Sequence, residues 1–507
     1  MAITDTTTAP LGKKSSGLLR PTPASDLSSG GVIHNTPLWL ESNPKNGNVY
    51  VYDSAGSVYS IDVNFSAVTA VGDLTDGGTS NGNGAAYYDN YLYFARDTTI
   101  ARYGPLNGTP TFADDYWVGT LGLTALDNSY RTNYPFANQL GSGTVVRYPN
   151  HVLHRHSDGR LYIADVVGGQ GTLHYVKTTK ATVEGDTNDG SKYSALTVGY
   201  GLLPTVMESY GSDLAIAFYE GSGNFVSQTR AKVAFWDTTS QNINKITWVE
   251  FPDPYISSMK NINGVLYVAS GRAGADGFRV SRFVGGYTFE EVGLFGRGAM
   301  PFPDGMDGQS NQLIFASFTN APTKAGCVHA IGLNNAKLGQ GQFNIHRVSS
   351  GASSAVATAL YLQDNYSMDR LAPVVAWGTG GNGTSKNGID IPSGYGNSTN
   401  IWWSQLYRIG QPFKIKRIRI PTCQYLTSAM TLTLTIYFDS GNDSTDGTTI
   451  NSTLFGTTTQ MINIRPSNLA ANNDFFLELK WSGTSLLVVA LPITVEYELL
   501  DVEAAYP

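Results

Sequence analysis

The stretch "NINGVLYVASGR", residues 261–272, reads as a turn feeding a strand. A two-residue Asn263-Gly264 turn ahead of the apolar, β-branched run Val265 to Ala269 is the strongest short-range hairpin signal a sequence carries. Its relatives recur along the chain as "DNYLYFARD" (89–97), "SDGRLYIADV" (157–166), "GSDLAIAFYE" (211–220) and "SNQLIFASF" (310–318). Each sets small polar turn residues before an apolar run that opens on Leu, with Ala three positions after that Leu. A polar or glycine-rich turn and a second strand follow, as in "TTIARYG" (98–104), "GTLHYVK" (171–177), "AKVAFWD" (231–237), "GFRVSRFVG" (277–285) and "GCVHAIG" (326–332).

The recurring unit is a meander. With Val49, Leu92, Leu161, Leu214, Leu266, Leu313 and Val374 as equivalent positions, successive units lie 43 to 69 residues apart. That spacing brackets one four-stranded propeller blade plus a variable loop. The seven anchors predict an all-β chain with a β-propeller of about seven blades over residues 48–410. Small residues such as Ala164, Ala217, Ala269 and Ala316 suit crowded inner strands. "APVVAWGTG" (372–380) and "NIWWSQLYRIG" (400–410) are expected to complete the last blade. A large sandwich, barrel or β-solenoid is the competing reading.

Composition agrees with an all-β chain. Among 507 residues there are 56 Gly, 29 Tyr and 21 Phe, and charged residues make up 14%, against roughly 25% in an ordinary soluble domain. Ser, Thr, Asn and Gly must therefore cover much of the surface. No segment carries a sustained 3.6-residue apolar period, so no substantial helix is expected; "SAVATALYL" (354–362) comes nearest and suits a strand equally well. The net charge of −7 argues against a nucleic-acid binder, because phosphate affinity needs concentrated Lys and Arg. The basic stretch "FKIKRIRI" (413–420) reads as an amphipathic strand rather than a polyanion site, and its change of apolar parity predicts a β-bulge near Arg417. The longest apolar run, "LLVVALPI" (486–493), is far short of the roughly 20 residues of a membrane helix, so no membrane insertion is expected.

Both flanks of the repeat region differ from it. Residues 1–47 form an extended N-terminal arm rich in Pro, Gly, Ser and Thr, with no apolar core of the signal-peptide type. Such an arm is either a disordered leader or a segment that orders against a partner subunit. After Gly410 long alternating strands take over, typified by "MTLTLTIYF" (430–438), in which Met430, Leu432, Leu434, Ile436 and Phe438 share one face. Residues 411–507 are predicted to form a small β-sandwich of jelly-roll type.

Chemical signals are sparse, and neither a metal nor a cofactor is expected. Cys327 and Cys423 read as buried small hydrophobes. "HVLHRHSDG" (151–159) places His154 and His156 on one face of an extended segment, with Asp158 beyond, yet offers no further ligand to close a metal site. The acidic loops "EGDTNDGSK" (184–192) and "DSGNDSTDG" (439–447) read as turns rather than calcium sites. There is no Walker loop, Gly-x-Ser-x-Gly elbow or dinucleotide fingerprint, and Trp236-Asp237 marks the end of a strand. Asp253, Asp304, Asp307 and Glu208 are candidates for the carboxylate pair of a glycoside hydrolase. Nothing in the sequence pairs them, and the sialidase box Ser-x-Asp-x-Gly-x-Thr-Trp is absent. The chain is therefore predicted not to be an enzyme.

The polar opening "AITDTTT", the Gly/Asn/Thr/Tyr-rich repeat body and the closing strands "MTLTLTIYFDSGN" together resemble structural proteins of tailed-bacteriophage particles, of the tail, baseplate or hub kind. The resemblance implies a non-enzymatic virion component, assembled in the host cytoplasm with copies of itself and other virion proteins. The absence of a coiled-coil shaft favours a globular hub, nozzle, spike or decoration component over a fibre. A receptor- or glycan-binding adhesin and a propeller-type glycoside hydrolase are the alternatives. Aromatic runs at 116–119, 129–139 and 400–405 give Trp117, Tyr130, Tyr134, Trp402 and Trp403 as candidates for partner or cell-surface glycan contact. Subunit contact is the preferred role for them.

Overall fold

A computed structural model of the chain describes residues 2–5, 18–19, 24–26, 32–74, 84–95, 100–117, 152–167, 170–176, 196–220, 230–240, 246–271, 277–285, 287–295, 300–309, 312–318, 326–332, 342–347, 356–365, 370–379, 386–392, 400–404, 406–422, 430–438, 450–451, 461–466, 470–471, 473–483, 489–490 and 493–500. Among these, every regular element is a β-strand. The helical alternative for "SAVATALYL" falls away, since Val356–Asn365 is extended.

The opening stretch behaves as its turn chemistry requires. Asn263 and Gly264 take φ of 52° and 83°, the two positive values that a type I′ turn needs, and Ile262 pairs with Val265 across it. Asp89 and Asn90, with φ of 46° and 68°, do the same between Tyr88 and Tyr91. From such hairpins the described residues build seven four-stranded antiparallel sheets. All seven anchor residues lie in second strands. Leu92, Leu161, Leu214 and Leu266 are fully buried, as are Ala95, Ala164, Ala217 and Ala269.

The first strands of the seven sheets are Pro37–Ser42, Ala85–Tyr88, Val152–Arg155, Leu202–Tyr210, Tyr255–Ile262, Met306–Gln309 and Val356–Asn365. Each lies against the first strand of the next sheet, and Val356–Asn365 lies against Pro37–Ser42. Apolar layers fill the spaces between sheets. Tyr52, Val58, Leu92 and Phe94 join the first sheet to the second, and Val49, Val51, Ala359 and Ala376 join the seventh to the first.

A repeated irregularity fastens some of these contacts. Leu38, Thr205, Ser257 and Thr358 are the extra residues at register shifts in four of the first strands. A bulge breaks the ladder and leaves carbonyls without a strand partner. Thr205 donates through Oγ1 to Ile256 O at 3.0 Å, just ahead of the next sheet's bulge. Thr358 donates to Pro37 O, again just ahead of a bulge. Each hydroxyl thus satisfies a buried acceptor while tying neighbouring sheets together.

The N-terminal segment corrects two expectations. Ala24–Asp26 is the fourth strand of the seventh sheet, pairing with Asp390 to Pro392. Because that position is already filled, Asn400–Trp403 and Tyr407–Arg408 do not complete this sheet. They pair instead with Asp474–Gly483 in the C-terminal part. The arm is not a free leader either. Ala2–Asp5 pairs with Ile493–Leu499, Leu18–Leu19 with Val489–Ala490, and Pro37–Ser42 opens the first sheet ahead of residue 48.

The C-terminal strands form two five-stranded antiparallel sheets, one of them including Ala2–Asp5, around Phe413, Ile415, Ile418, Ile420, Leu432, Leu434, Ile436, Phe475, Leu477 and Val495. The register of Phe413–Pro421 shifts between Ile415 and Arg417, where the parity change predicted a bulge. Its cations face a complementary strand: Lys416 pairs with Glu498, and Arg419 Nη2 lies 2.7 Å from Glu496 Oε1. Cross-strand neutralisation accounts for the basic stretch without a polyanion. Leu406 packs with Tyr437 and Phe476 against Leu294 of the fifth sheet, and Leu406 N donates to Leu294 O at 2.9 Å.

Candidate functional site

Strand register selects one position per sheet. Opposite the residue that follows the anchor leucine or valine stand Glu41, Ala86, His154, Glu208, Lys260 and Asp307 in the first six sheets. In the seventh sheet, counted back from Ala376, the equivalent residue is Tyr361, opposite Val374. Because the first strands lie side by side, these residues form one circuit.

Side chains at these positions reach toward the next first strand in order. Tyr87 N donates to Glu41 Oε1 at 3.1 Å, His154 Nε2 lies 2.9 Å from Ser209 Oγ, and Lys260 Nζ donates to Asp307 Oδ1 at 3.0 Å. Leu362 N then donates to Asp307 Oδ2 at 2.7 Å. Asp304, just ahead of the sixth sheet, extends further. Its Oδ2 accepts from Leu40 N at 2.7 Å, while its own carbonyl accepts from Leu360 N at 2.8 Å.

Four carboxyl groups, Glu41, Glu208, Asp304 and Asp307, thus share one ammonium. Like charges in a poorly solvated space favour protonation of some members. Burial raises both Glu41 and Glu208 to about 7 and holds Asp304 well above the usual carboxylate range. Lys260 is held above its usual range, first by Asp307 and then by Glu208, against the opposing effect of burial. His154 is driven down to about 3, mainly by burial and then by His156 and Lys260, so its imidazole is neutral. The Lys260 side chain is nevertheless 37% exposed and that of Asp307 11%. Water therefore reaches the ammonium and screens part of its field.

Such a cluster offers carboxyl groups that can accept or donate and an ammonium donor close together. This is a hydrogen-bonding set for a polyhydroxylated ligand, or for acid–base chemistry on one. Among the described residues no three His, Cys, Asp or Glu side chains come together in a group that fits a metal ion. His154 and His156 converge on Ser209.

Of the carboxylates singled out from sequence, Glu208, Asp304 and Asp307 are brought together. Asp253 stands elsewhere, accepting from Ser270 Oγ at 2.7 Å and Arg279 Nε at 3.1 Å. The strands that carry Trp117, Trp402 and Trp403 are not first strands of the circuit. Trp117 ends the fourth strand of the second sheet, and Trp402 and Trp403 pair with Leu479 and Glu478 in the C-terminal part. The side chains of these three tryptophans, together with Tyr130, Tyr134, Cys423 and both acidic loops, lie outside the described residues. Glu41 and Lys260 escaped sequence reasoning. The available signal was an ionisable residue in an apolar strand, two places before a tight turn, as in "VMESYGSD" (206–213) and "SSMKNING" (257–264).

No family model and no curated protein matches the sequence. Among solved structures, the extracellular domain of a one component system from B. thetaiotaomicron is 12% identical; the match covers 91% of this chain and 57% of that one, with a TM-score of 0.44. The β-propeller domain of Cps50 (Swd1) from Myceliophteria thermophila is 10% identical, with coverage of 73% and 99% and a TM-score of 0.41. An exo-β-1,3-galactanase from Phanerochaete chrysosporium, solved with galactose, is 9% identical, with coverage of 68% and 95% and a TM-score of 0.29. Likeness at this level carries no functional inference, so the site is read from its own geometry.

Proposed function

We propose that the seven sheets are the blades of a closed β-propeller followed by a jelly-roll β-sandwich, and that the protein is a glycan-binding attachment component of a phage particle. The binding site is the cluster around Lys260. One observation carries this reading: the equivalent first-strand positions hold four ionisable side chains, an imidazole and a phenol, and the carboxyls outnumber the ammonium. A hub that only had to pack would place apolar side chains there, since buried ionisable groups carry a desolvation cost. A sugar uses the same groups as paired hydrogen-bond partners. Support for the particle setting comes from the low-charge composition and layout of the sequence, which also favour assembly with copies of the chain and other virion proteins.

The test is a glycan array probed with folded wild-type protein and with Lys260→Met and Asp304→Asn. Binding by the wild type that falls at least tenfold in both variants is the expected result. No binding to any neutral or amino-sugar glycan, or undiminished binding by both variants, would remove the cluster as the sugar site. Release of new reducing ends from a bound oligosaccharide would convert the binding reading into glycoside hydrolysis.

A further inference from the structure

Ser209 follows Glu208 in the first strand of the fourth sheet and points to the opposite side, toward the third. Its Oγ lies 2.9 Å from His154 Nε2 and 3.0 Å from His156 Nδ1. His156 Nε2 in turn lies 3.2 Å from Ser212 O. A backbone carbonyl only accepts, so His156 Nε2 carries the proton and donates to it. His156 Nδ1 is then the bare nitrogen and accepts the Ser209 hydroxyl hydrogen. That hydrogen being committed, His154 Nε2–H donates to Ser209 Oγ. The network thus assigns both tautomers. His156 is 2% exposed, whereas Ser209 is only partly buried.

We propose that Ser209 is an acyl-accepting nucleophile with His156 as its general base, and that this centre hydrolyses small oxygen esters of the O-acyl type. Nucleophile, base and a third group orienting the base are all within hydrogen-bond reach, the arrangement that activates serine on unrelated folds. Oγ attacks the ester carbonyl carbon while its proton passes to His156 Nδ1. The imidazolium is stabilised by the Ser212 carbonyl and returns the proton to the departing alkoxide, which leaves as an alcohol. Water then attacks the acyl-serine with His156 again as base, releasing the carboxylic acid and restoring the hydroxyl. Buried and neutral, His154 does not compete as a base.

The centre lies between the third and fourth sheets and needs no sugar bound beside Lys260, so its test is independent of the glycan array. Full-length protein is incubated with a biotinylated fluorophosphonate, and the labelled peptide is identified by mass spectrometry. p-Nitrophenyl acetate hydrolysis is followed in parallel. One label on Ser209, with hydrolysis reduced at least 100-fold in His156→Gln, is expected, since general-base catalysis contributes about 10²–10⁴-fold. Ser157→Ala, which removes a hydroxyl beside His156, leaves labelling unchanged. Wild-type protein that takes no label, or takes it on a different serine, overturns the assignment without recourse to any variant.

Discussion

Replacing Lys260 with Met removes the ammonium while keeping the length and apolar stem of the side chain. At 3.0 Å from Asp307 Oδ1, the gross Coulomb attraction at an effective dielectric of ~20 is about 5 kcal/mol. The ammonium regains water when the chain unfolds, and 37% exposure in the folded state screens part of the attraction. A net loss of about 2 kcal/mol remains, below the roughly 3–5 kcal/mol of a fully buried broken pair. With an unfolding entropy near 2.1 cal/mol/K per residue over a unit of about 350 residues, this lowers Tm by about 3 °C. The loss must depend on pH, because Glu208 and Asp304, both held above the usual carboxylate range, are left without their cation. It is larger near pH 8 than near pH 5, where protons replace the missing cation. Thermal melts of wild type, Lys260→Met, Asp307→Asn and the double variant at both pH values give the coupling directly. A coupling of about 1–2 kcal/mol is expected, as for other contacting pairs. A coupling near zero at both pH values would show that Asp307 does not depend on Lys260.

Two further outcomes follow from the same geometry. Glu41 and Glu208, raised from 4.5 to about 7, hold protons in the folded protein that the unfolded chain has already released. Their stabilising contribution is therefore complete below about pH 4.5, declines through the interval to about 7 and is gone above it. Glu41→Gln with Glu208→Gln should flatten the decline in Tm over that interval, and a steeper decline in the double variant would contradict the assignment. At Gly171 in the third sheet, an added Cβ would lie 2.5 Å from Leu202 O and 3.3 Å from Phe218 Cε1 of the fourth. Gly171→Ala should cost about 2–3 kcal/mol by denaturant unfolding, because a backbone oxygen cannot swing aside; a cost under about 0.5 kcal/mol would mean that the two sheets are less closely packed.

The repeat was legible because hairpin chemistry is local. Asn263-Gly264 and the leucine that follows encode a turn and a buried second strand, and each copy repeats that code within about ten residues. The bulge near Arg417 was legible for a similar reason, since a lost residue of parity shows within one strand. The final strand of the seventh sheet was not, because Ala24–Asp26 and Asn387–Pro392 are separated by most of the chain. "NIWW" has an ordinary strand pattern that says nothing about which sheet will take it. The cluster lay between these extremes. Glu208, Asp304 and Asp307 could be named as carboxylates, but their convergence required the register of several hairpins and the order in which first strands meet. Glu41 precedes a longer turn than Glu208 or Lys260, closed by the pairing of Ser42 with Val49, so no fixed offset from the turn would have found it.

The pairing of the first residues with the last has a temporal consequence. Ala2–Asp5 and Leu18–Leu19 leave the ribosome more than 450 residues ahead of their partners, Ile493–Leu499 and Val489–Ala490. At about 5–20 residues per second the wait is roughly 25–100 s. During that time both short strands have exposed backbone donors and acceptors and no template of their own. The hairpins between them are local and close as soon as they emerge, on a scale of about microseconds. The intervening sheets therefore assemble from the N-terminal side, and these two long-range pairings are made after them. Completion of the C-terminal sheets thus waits for synthesis of residues 489–499, and a product truncated before them carries an unpaired Ala2–Asp5 strand.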